Sequence, residues 1–231
     1  MKSDDWRYER KFFIEDCSKA EVINSIKQHP AVFSDVFHSR QVNNIYFDSL
    51  GFKHYVANIE GVAEREKVRV RWYGARLGEI KNPVLEFKIK NGHLGRKEYY
   101  PLENFFINEK AGTFDLLSLV KQATLPPRVQ YEIRSLLPRL ANSYIRQYYM
   151  SADQRFRLTL DTGIRFFQID HLRSSSFREQ YPLSQSIVME LKYFSSEKID
   201  FDAREVANGF RFRVTKNSKY VGGINKVYFG Y

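Results

Sequence analysis

Cysteine occurs once in the chain, at Cys17. A single thiol forms neither an internal disulfide nor a thiolate metal cluster, which fits a reducing compartment. Glycine (12) and proline (7) are sparse among 231 residues, so no long disordered tract is expected. No apolar run approaches the ~20 residues needed to span a bilayer. The opening MKSDDWRYERKFF also lacks the apolar core of a signal peptide. These absences predict a cytoplasmic protein. Acidic residues are in deficit, 27 against 37 Lys and Arg, giving a formal charge of +10. That imbalance predicts attraction to polyanions: nucleic acid, polyphosphate, nucleotides or an acidic membrane surface. The five His show no metal-ligand spacing.

Aromatic content is high at 16%, with 15 Tyr and 19 Phe, which suits wide strands. With 43% hydrophobic residues the chain can bury a real core, and residues 1–231 are expected to form one domain. Strand signals fall at RYERKFFI, QVNNIYFDS, KVRVRWYG, LEFKIK and GRKEYYPL, with turns at Asn91-Gly92 and Gly95. A second run comprises SYIRQYYM, FRLTLDTGIRFFQID, SIVMELKYF and a last stretch near YFGY. CSKAEVINSIKQHP predicts a helix: Ser18 and Glu21 have capping-box spacing, Val22, Ile23 and Ile26 form a stripe, and Pro30 ends it. TFDLLSLVKQA and RVQYEIRSLLPRL also have helical spacing, whereas RSSSFREQYPLSQS reads as a loop. Strands, then helices, then strands predict an α+β fold with an antiparallel β-barrel, closed or nearly so, walled by helices.

The strands share an unusual pattern. Side chains alternate between faces of a strand, so Lys67, Arg69 and Arg71 lie opposite Val68, Val70 and Trp72. Likewise Glu86, Lys88 and Lys90 lie opposite Leu85, Phe87 and Ile89. Glu-x-Lys recurs at Glu9/Lys11, Glu86/Lys88 and Glu190/Lys192, and Arg-x-Arg at Arg69/Arg71, Arg155/Arg157 and Arg211/Arg213. One oily face and one ionised face describe either a sheet with one side in water or a barrel with a charged lumen. Recurrence on several strands favours the lumen. Cations along a tunnel suit phosphate chains, and interspersed carboxylates suit Mg²⁺ or Mn²⁺ bridging to phosphate oxygens. The pattern therefore points to metal-dependent phosphoryl transfer. A basic, aromatic groove also suits single-stranded nucleic acid, but regular carboxylates weaken that reading and no RNP or helix-turn-helix signature is present.

In the order ERKF, VRVRWYG, LEFKIK, SYIRQYY, FRLTLDT, VMELKY and KNSKYVGGI, the chain resembles the polyphosphate polymerase domain of the vacuolar transporter chaperone family. That family lies within the triphosphate tunnel metalloenzyme (CYTH-like) superfamily. RVRWYG with a C-terminal S-K-Y-x-x-G is the more specific part; Glu-x-Lys alone is weak. The resemblance implies a strand tunnel that binds ATP, passes a growing polyphosphate chain and uses Mn²⁺ or Mg²⁺. It implies phosphate contacts from Lys11, Arg69, Arg71 and Lys88, a clamp from Tyr144 and Arg146, and further ligands in Arg157, Lys216, Ser218 and Lys219. Glu190 matches the metal-binding glutamate. Lys97 resembles another basic position, for which Arg96 competes. Glu9 and Glu86 either assist the metal or orient neighbouring cations, and Lys90 and Lys192 are ion-pair partners or ligands. Asp161 is expected at a turn or strand end, and Trp72 in the core. Expected partners are ATP and polyphosphate or pyrophosphate, not nucleic acid, with a membrane-protein partner left open. The alternatives are an inorganic triphosphatase and a non-catalytic polyphosphate- or nucleic-acid-binding module. The inositol-phosphate sensing domain and membrane helices of eukaryotic members have no counterpart in these residues.

Overall fold

The computed structural model describes residues 7–92, 94–108, 113–114, 120, 123–170, 175–182, 186–194 and 197–230. In chain order the first half forms β1 (Arg7–Ile14), α1 (Lys19–Lys27), β2 (Ser34–Asp48), α2 (Lys53–Ile59), β3 (Glu64–Tyr73), β4 (Gly78–Ile80), β5 (Val84–Asn91), β6 (Leu94–Pro101), β7 (Phe105–Ile107) and β8 (Thr113–Phe114). Then follow α3 (Pro127–Arg134), β9 (Leu137–Met150), β10 (Arg157–Asp170), β11 (Ser175–Pro182), β12 (Ile187–Phe194), α4 (Glu197–Asn208) and α5 (Lys219–Ile224). A single π turn, Asn225–Phe229, completes the described chain.

The main sheet is antiparallel, in the order β1-β12-β10-β9-β2-β3-β5-β6. β10 serves two neighbours on one side. Its first residues pair with β12 and its last with β11, and a register break between Thr162 and Arg165 separates the two halves of its pairing with β9. Gly163, at φ +61°, occupies that break, where an extra residue bends the strand.

The sheet curls until its edge strands β1 and β6 lie against each other, but no ladder joins them. The expected barrel is thus open at one seam. Part of the reason lies on β1, whose free edge is already taken: Phe12 bridges to Val214, and the Thr215 amide donates to the Lys11 carbonyl at 2.8 Å. Backbone groups satisfied in this way cannot also pair with β6. An ion pair reaches over the seam from the next strand in: Lys88 Nζ of β5 lies 3.0 Å from Glu9 Oε2 of β1.

Helices cover the outer face. α1 forms as its sequence predicts, with the Ser18–Glu21 capping box in place and Val22 and Ile26 buried. Val129 and Ile133 of α3 pack with Val68, Val70, Trp72, Leu85 and Phe87, the apolar sides of β3 and β5. Ala203 and Ala207 of α4 join Phe12, Met189 and Leu191 in a second cluster. No helix among the described residues is long and apolar enough to cross a membrane.

Three expectations need correction, and a fourth falls mostly outside the described residues. The helix expected over RVQYEIRSLLPRL stops at Arg134, and 137–140 begin β9. Pro138 explains this, because it has no amide to donate to a helical turn. The loop expected over RSSSFREQYPLSQS contains β11, since pairing to β10 uses backbone groups that polar residues also possess. Of TFDLLSLVKQA, Thr113 and Phe114 have strand geometry and Val120 is helical, while residues 115–119 and 121–122 lie outside the described residues. The final strand near YFGY is the π turn: the Tyr228 ring packs on Phe52 and its hydroxyl donates to the Arg139 carbonyl at 2.7 Å.

α5 crosses the concave side of the sheet. Asp48, fully buried, accepts from the amides of His54 (2.9 Å) and Tyr55 (2.9 Å) at the start of α2 and from the Tyr220 hydroxyl of α5. Gly223 permits this close approach. A Cβ there would sit 2.5 Å from Leu140 Cδ2 and 2.7 Å from Phe166 Cδ1. Gly223→Ala is therefore expected to lower unfolding free energy by about 1–3 kcal/mol through overpacking, read from urea denaturation; an unchanged midpoint would show that α5 shifts freely.

Candidate active site

The concave face of the sheet encloses a cavity of about 90 Å³, room for several water molecules. Alternation delivers its lining. β3 contributes Lys67, Arg69 and Arg71, β5 Lys88, β6 Lys97, and β1 Glu9 and Lys11. β2 and β9 add Tyr46, Tyr144 and Arg146, and β12 adds Glu190 and Lys192. Ser218, Lys219 and Tyr220, around the start of α5, complete the wall. Among the described residues the lining thus holds nine basic side chains and two carboxylates.

Carboxylates fix the geometry of these cations. Glu86, 5% exposed on β5, receives Arg69 through Nε (2.7 Å) and Nη2 (2.5 Å) and lies 3.5 Å from Arg71 Nη1. Asn44 Oδ1 accepts from Arg71 Nε at 2.9 Å. Asp161, fully buried on β10, takes a bidentate pair of bonds from Arg146, both 2.6 Å, and a contact from Lys219 Nζ at 2.6 Å. Glu190 lies 2.8 Å from Lys192 and 3.7 Å from Lys11. Ser218 caps α5 and also accepts from Lys67 Nζ at 2.8 Å.

These contacts do not neutralise the cavity. Burial, and then Lys11 and Lys88, pull the Lys67 ammonium well below the usual lysine range. Burial lowers Lys88 as well, despite Glu9 beside it. Burial alone would raise the carboxylates, but the surrounding cations outweigh it. Glu9 is held at about 2, chiefly by Lys88 and Lys11, and Glu86 at about 2 by Arg69 and Arg71. Glu190 is driven well below its ordinary value by Lys192, Lys11 and Lys219, against the same burial. At neutral pH the cavity holds ionised carboxylates within an excess of positive charge, a setting that attracts a polyanion.

Glu9 and Glu190 also suit a hard divalent cation. Both are held in the ionised form, both face the cavity, and Glu9 feels the Glu190 charge. Oxygen donors of this kind match Mg²⁺ or Mn²⁺ rather than a soft metal.

Most residues singled out in the sequence meet here. Lys11, Arg69, Arg71, Lys88, Lys97, Tyr144, Arg146, Ser218, Lys219, Glu9 and Glu190 all line the cavity. Lys97 rather than Arg96 faces inward; Arg96 pairs with Glu98 at 3.2 Å on the other side of β6. Arg157 and Lys216 lie outside the lining and are exposed. Arg157 opens β10 opposite Lys192, at the strand's end, and Lys216 sits on the segment before α5. Lys67, Tyr46 and Tyr220 also line the cavity, though no role was expected of them. For Lys67 the signal was present, because it shares a face with Arg69. Asp161 is no turn residue but the buried anion beneath Arg146 and Lys219.

A family model for the VTC domain matches residues 6–228. No curated protein matches the sequence. Among solved structures, a putative adenylyl cyclase from Hippeastrum, described as having a dominant triphosphatase activity, is 14% identical over 94% of this chain and 93% of its own, with a TM-score of 0.50. A putative adenylate cyclase from Vibrio parahaemolyticus is 13% identical over 94% and 96%, with a TM-score of 0.51. At such identities the likeness is one of fold.

Asp161→Asn keeps the side-chain shape but removes the nearest anion from Arg146 and Lys219, leaving them only Glu190 at 3.7 and 3.9 Å. It is expected to cost about 3–5 kcal/mol of stability, as breaking a buried ion pair does, measured by urea denaturation at neutral pH. The depressed carboxylates also set an acid limit. Their contribution is complete above the unfolded carboxylate value of 4.5 and is lost as pH falls toward about 2, where Glu9 and Glu86 protonate. Melting temperature should fall across that window.

Proposed function

Because the chain belongs to the VTC domain family and has a triphosphate-tunnel fold, we propose that it transfers the terminal phosphoryl group of ATP to a phosphate or polyphosphate acceptor. The observation that carries this reading is the convergence of nine basic side chains on one cavity that also presents two ionised carboxylates. Arg69 and Arg71, oriented by Glu86, direct their remaining donors at phosphate oxygens. Arg146 and Lys219, held by Asp161, form the opposite wall, beside Tyr144. Lys11, Lys67, Lys88 and Lys97 supply point charges along the bound chain, and Ser218 a hydroxyl. Arg157 and Lys216 meet a longer chain beyond the cavity.

Glu190, assisted by Glu9, would hold Mn²⁺ or Mg²⁺, whose chemistry there is neutralisation of charge on phosphate oxygens. Alignment of donor and acceptor and stabilisation of the transferring group fall to the basic residues. No protein nucleophile or base is needed, since an acceptor phosphate oxygen is ionised at neutral pH. The proposed unit is a single domain acting where ATP is available, in the cytoplasm. Hydrolysis of inorganic triphosphate is the second reading, favoured by the activity described for the Hippeastrum protein of the same fold.

Incubation with ATP and Mn²⁺, with products resolved on a polyphosphate gel beside an orthophosphate assay, separates the two. A ladder of long chains, lost in Glu190→Gln, supports the polymerase. Orthophosphate without a ladder moves the chain to the hydrolase, and neither product with binding retained leaves a binding module. Lys67→Ala is expected to lower kcat/KM for ATP at least tenfold, about 1.4 kcal/mol of lost transition-state binding. Proton uptake gives a third check. Burial, with neighbouring cations, holds Lys67 and Lys88 low, so bound tripolyphosphate should raise their affinity for protons. At alkaline pH, calorimetry in buffers of different ionisation enthalpy should register protons taken up on binding.

A further inference from the structure

On the outer side of β3, away from the cavity, three side chains from different elements meet: His54 of α2, Glu66 of β3 and Glu132 of α3. Each offers a ligand atom within 4.8 Å of the other two. His54 is 2% exposed. Its Nδ1 lies 3.2 Å from the Glu66 carbonyl oxygen, which can accept the ring's N–H. Nε2 then carries the lone pair. That atom is buried, has no hydrogen-bond partner, and lies 4.0 Å from Glu132 Oε1. Glu66 Oε1 lies 4.0 Å from Nδ1, on the same side of the ring. An imidazole with one nitrogen anchored by a backbone carbonyl and the other buried, unpartnered and beside a carboxylate is arranged as metal-binding histidines are.

We propose that His54 Nε2, Glu66 and Glu132 form a site for a divalent transition-metal ion of the zinc class, separate from the cavity and completed by water. One imidazole with two carboxylates is a borderline donor set that suits Zn²⁺ better than the all-oxygen environment of the cavity does. Ligand atoms around tetrahedral zinc stand about 3.3–3.5 Å apart, from bond lengths near 2.0–2.2 Å, so the cluster needs only a modest contraction. Glu66 and Glu132 are only partly buried and can supply it. Without a cation the two carboxylates disfavour each other's charge. Burial, a hydrogen bond with Glu132 and the Glu132 charge push Glu66 up to about 7, although Lys53 and Arg128 act in the opposite direction. A bound ion would tie α2 and α3 to β3, whose inner face presents Lys67 and Arg69. The role is that of a clamp on the wall.

The test uses tag-free, chelator-stripped full chain titrated with Zn²⁺ by calorimetry, alongside the cavity variant E9Q/E190Q and the outer variant E66Q/E132Q. About one equivalent should bind at micromolar or lower free Zn²⁺, persist in E9Q/E190Q and raise the melting temperature. In E66Q/E132Q affinity should fall by more than the ~10–100-fold that losing an outer partner costs. No binding to the wild-type chain at micromolar Zn²⁺, or binding lost in E9Q/E190Q and kept in E66Q/E132Q, overturns the proposal. Should E66Q/E132Q fail to fold, Co²⁺ decides on the wild-type chain. Visible bands of a four- or five-coordinate centre, unchanged by tripolyphosphate, support an outer site, and their absence or displacement by tripolyphosphate refutes it.

Discussion

Like charges crowded into one curled sheet set the terms for the rest of this molecule. Lys67, Arg69, Arg71 and Lys88 line one wall of the cavity, and repulsion among them favours a flatter sheet. Four carboxylates oppose it: Glu9, Glu86, Asp161 and Glu190. Each pairs with a cation on another element or one that alternation places on the same face, so most of these ion pairs are also cross-links. Arg146 on β9 is tied to β10, Arg69 on β3 to β5, and Lys219 on α5 to β10. Glu9 with Lys88 ties edge strand β1 to β5, the neighbour of the other edge strand. Buried ion pairs add little net stability compared with apolar packing. Their contribution here is position: guanidinium groups held on one side present the other side to the lumen.

Stability comes mainly from outside the lumen. Valine, leucine and phenylalanine on the convex face of β3 and β5 pack under α3, and those of β1, β10 and β12 pack under α1 and α4. A third cluster lies where α5 meets the concave face, with Tyr220 stacked on Tyr46 at 5.2 Å. This last contact places Ser218 and Lys219 at the lumen. Asp48 joins it to the outer layer, because one carboxylate serves both the start of α2 and the Tyr220 hydroxyl. The wall that presents cations and the shell that carries the core are thus mechanically continuous through β2 and β3.

Much of this was legible in the residues. Period-two alternation in KVRVRWYG and LEFKIK separated Trp72 and Phe87, now in the core, from Arg69 and Lys88, now in the lumen. Capping chemistry placed the start of α1 at Ser18, although the helix ends at Lys27, before Pro30. Short frames were a weaker guide. All three Glu-x-Lys frames have inward members, whereas only one of three Arg-x-Arg frames lines the cavity, Arg157 and Arg211 both being exposed. Alternation assigns a residue to a face but does not say how far along the strand the lumen extends, and Arg157 stands at a strand's first residue. Asp161 was misjudged for a related reason. In LDT it resembles a turn residue, and only the pairing of β10 with β9 brings Arg146 opposite it.

Local periodicity and composition suffice for the strand faces, the excess of positive charge and the residue types that could meet a phosphate chain. Tertiary structure decided which cations are neutralised and which are left in want of an anion, since that depends on distances between strands far apart in the chain. It also decided that the sheet stays open between β1 and β6, through competition for the β1 backbone by Val214 and Thr215. The meeting of His54, Glu66 and Glu132 belongs to the same class. No spacing in the chain announces it, because each residue comes from a different element and only the packing of α2 and α3 on β3 brings them together.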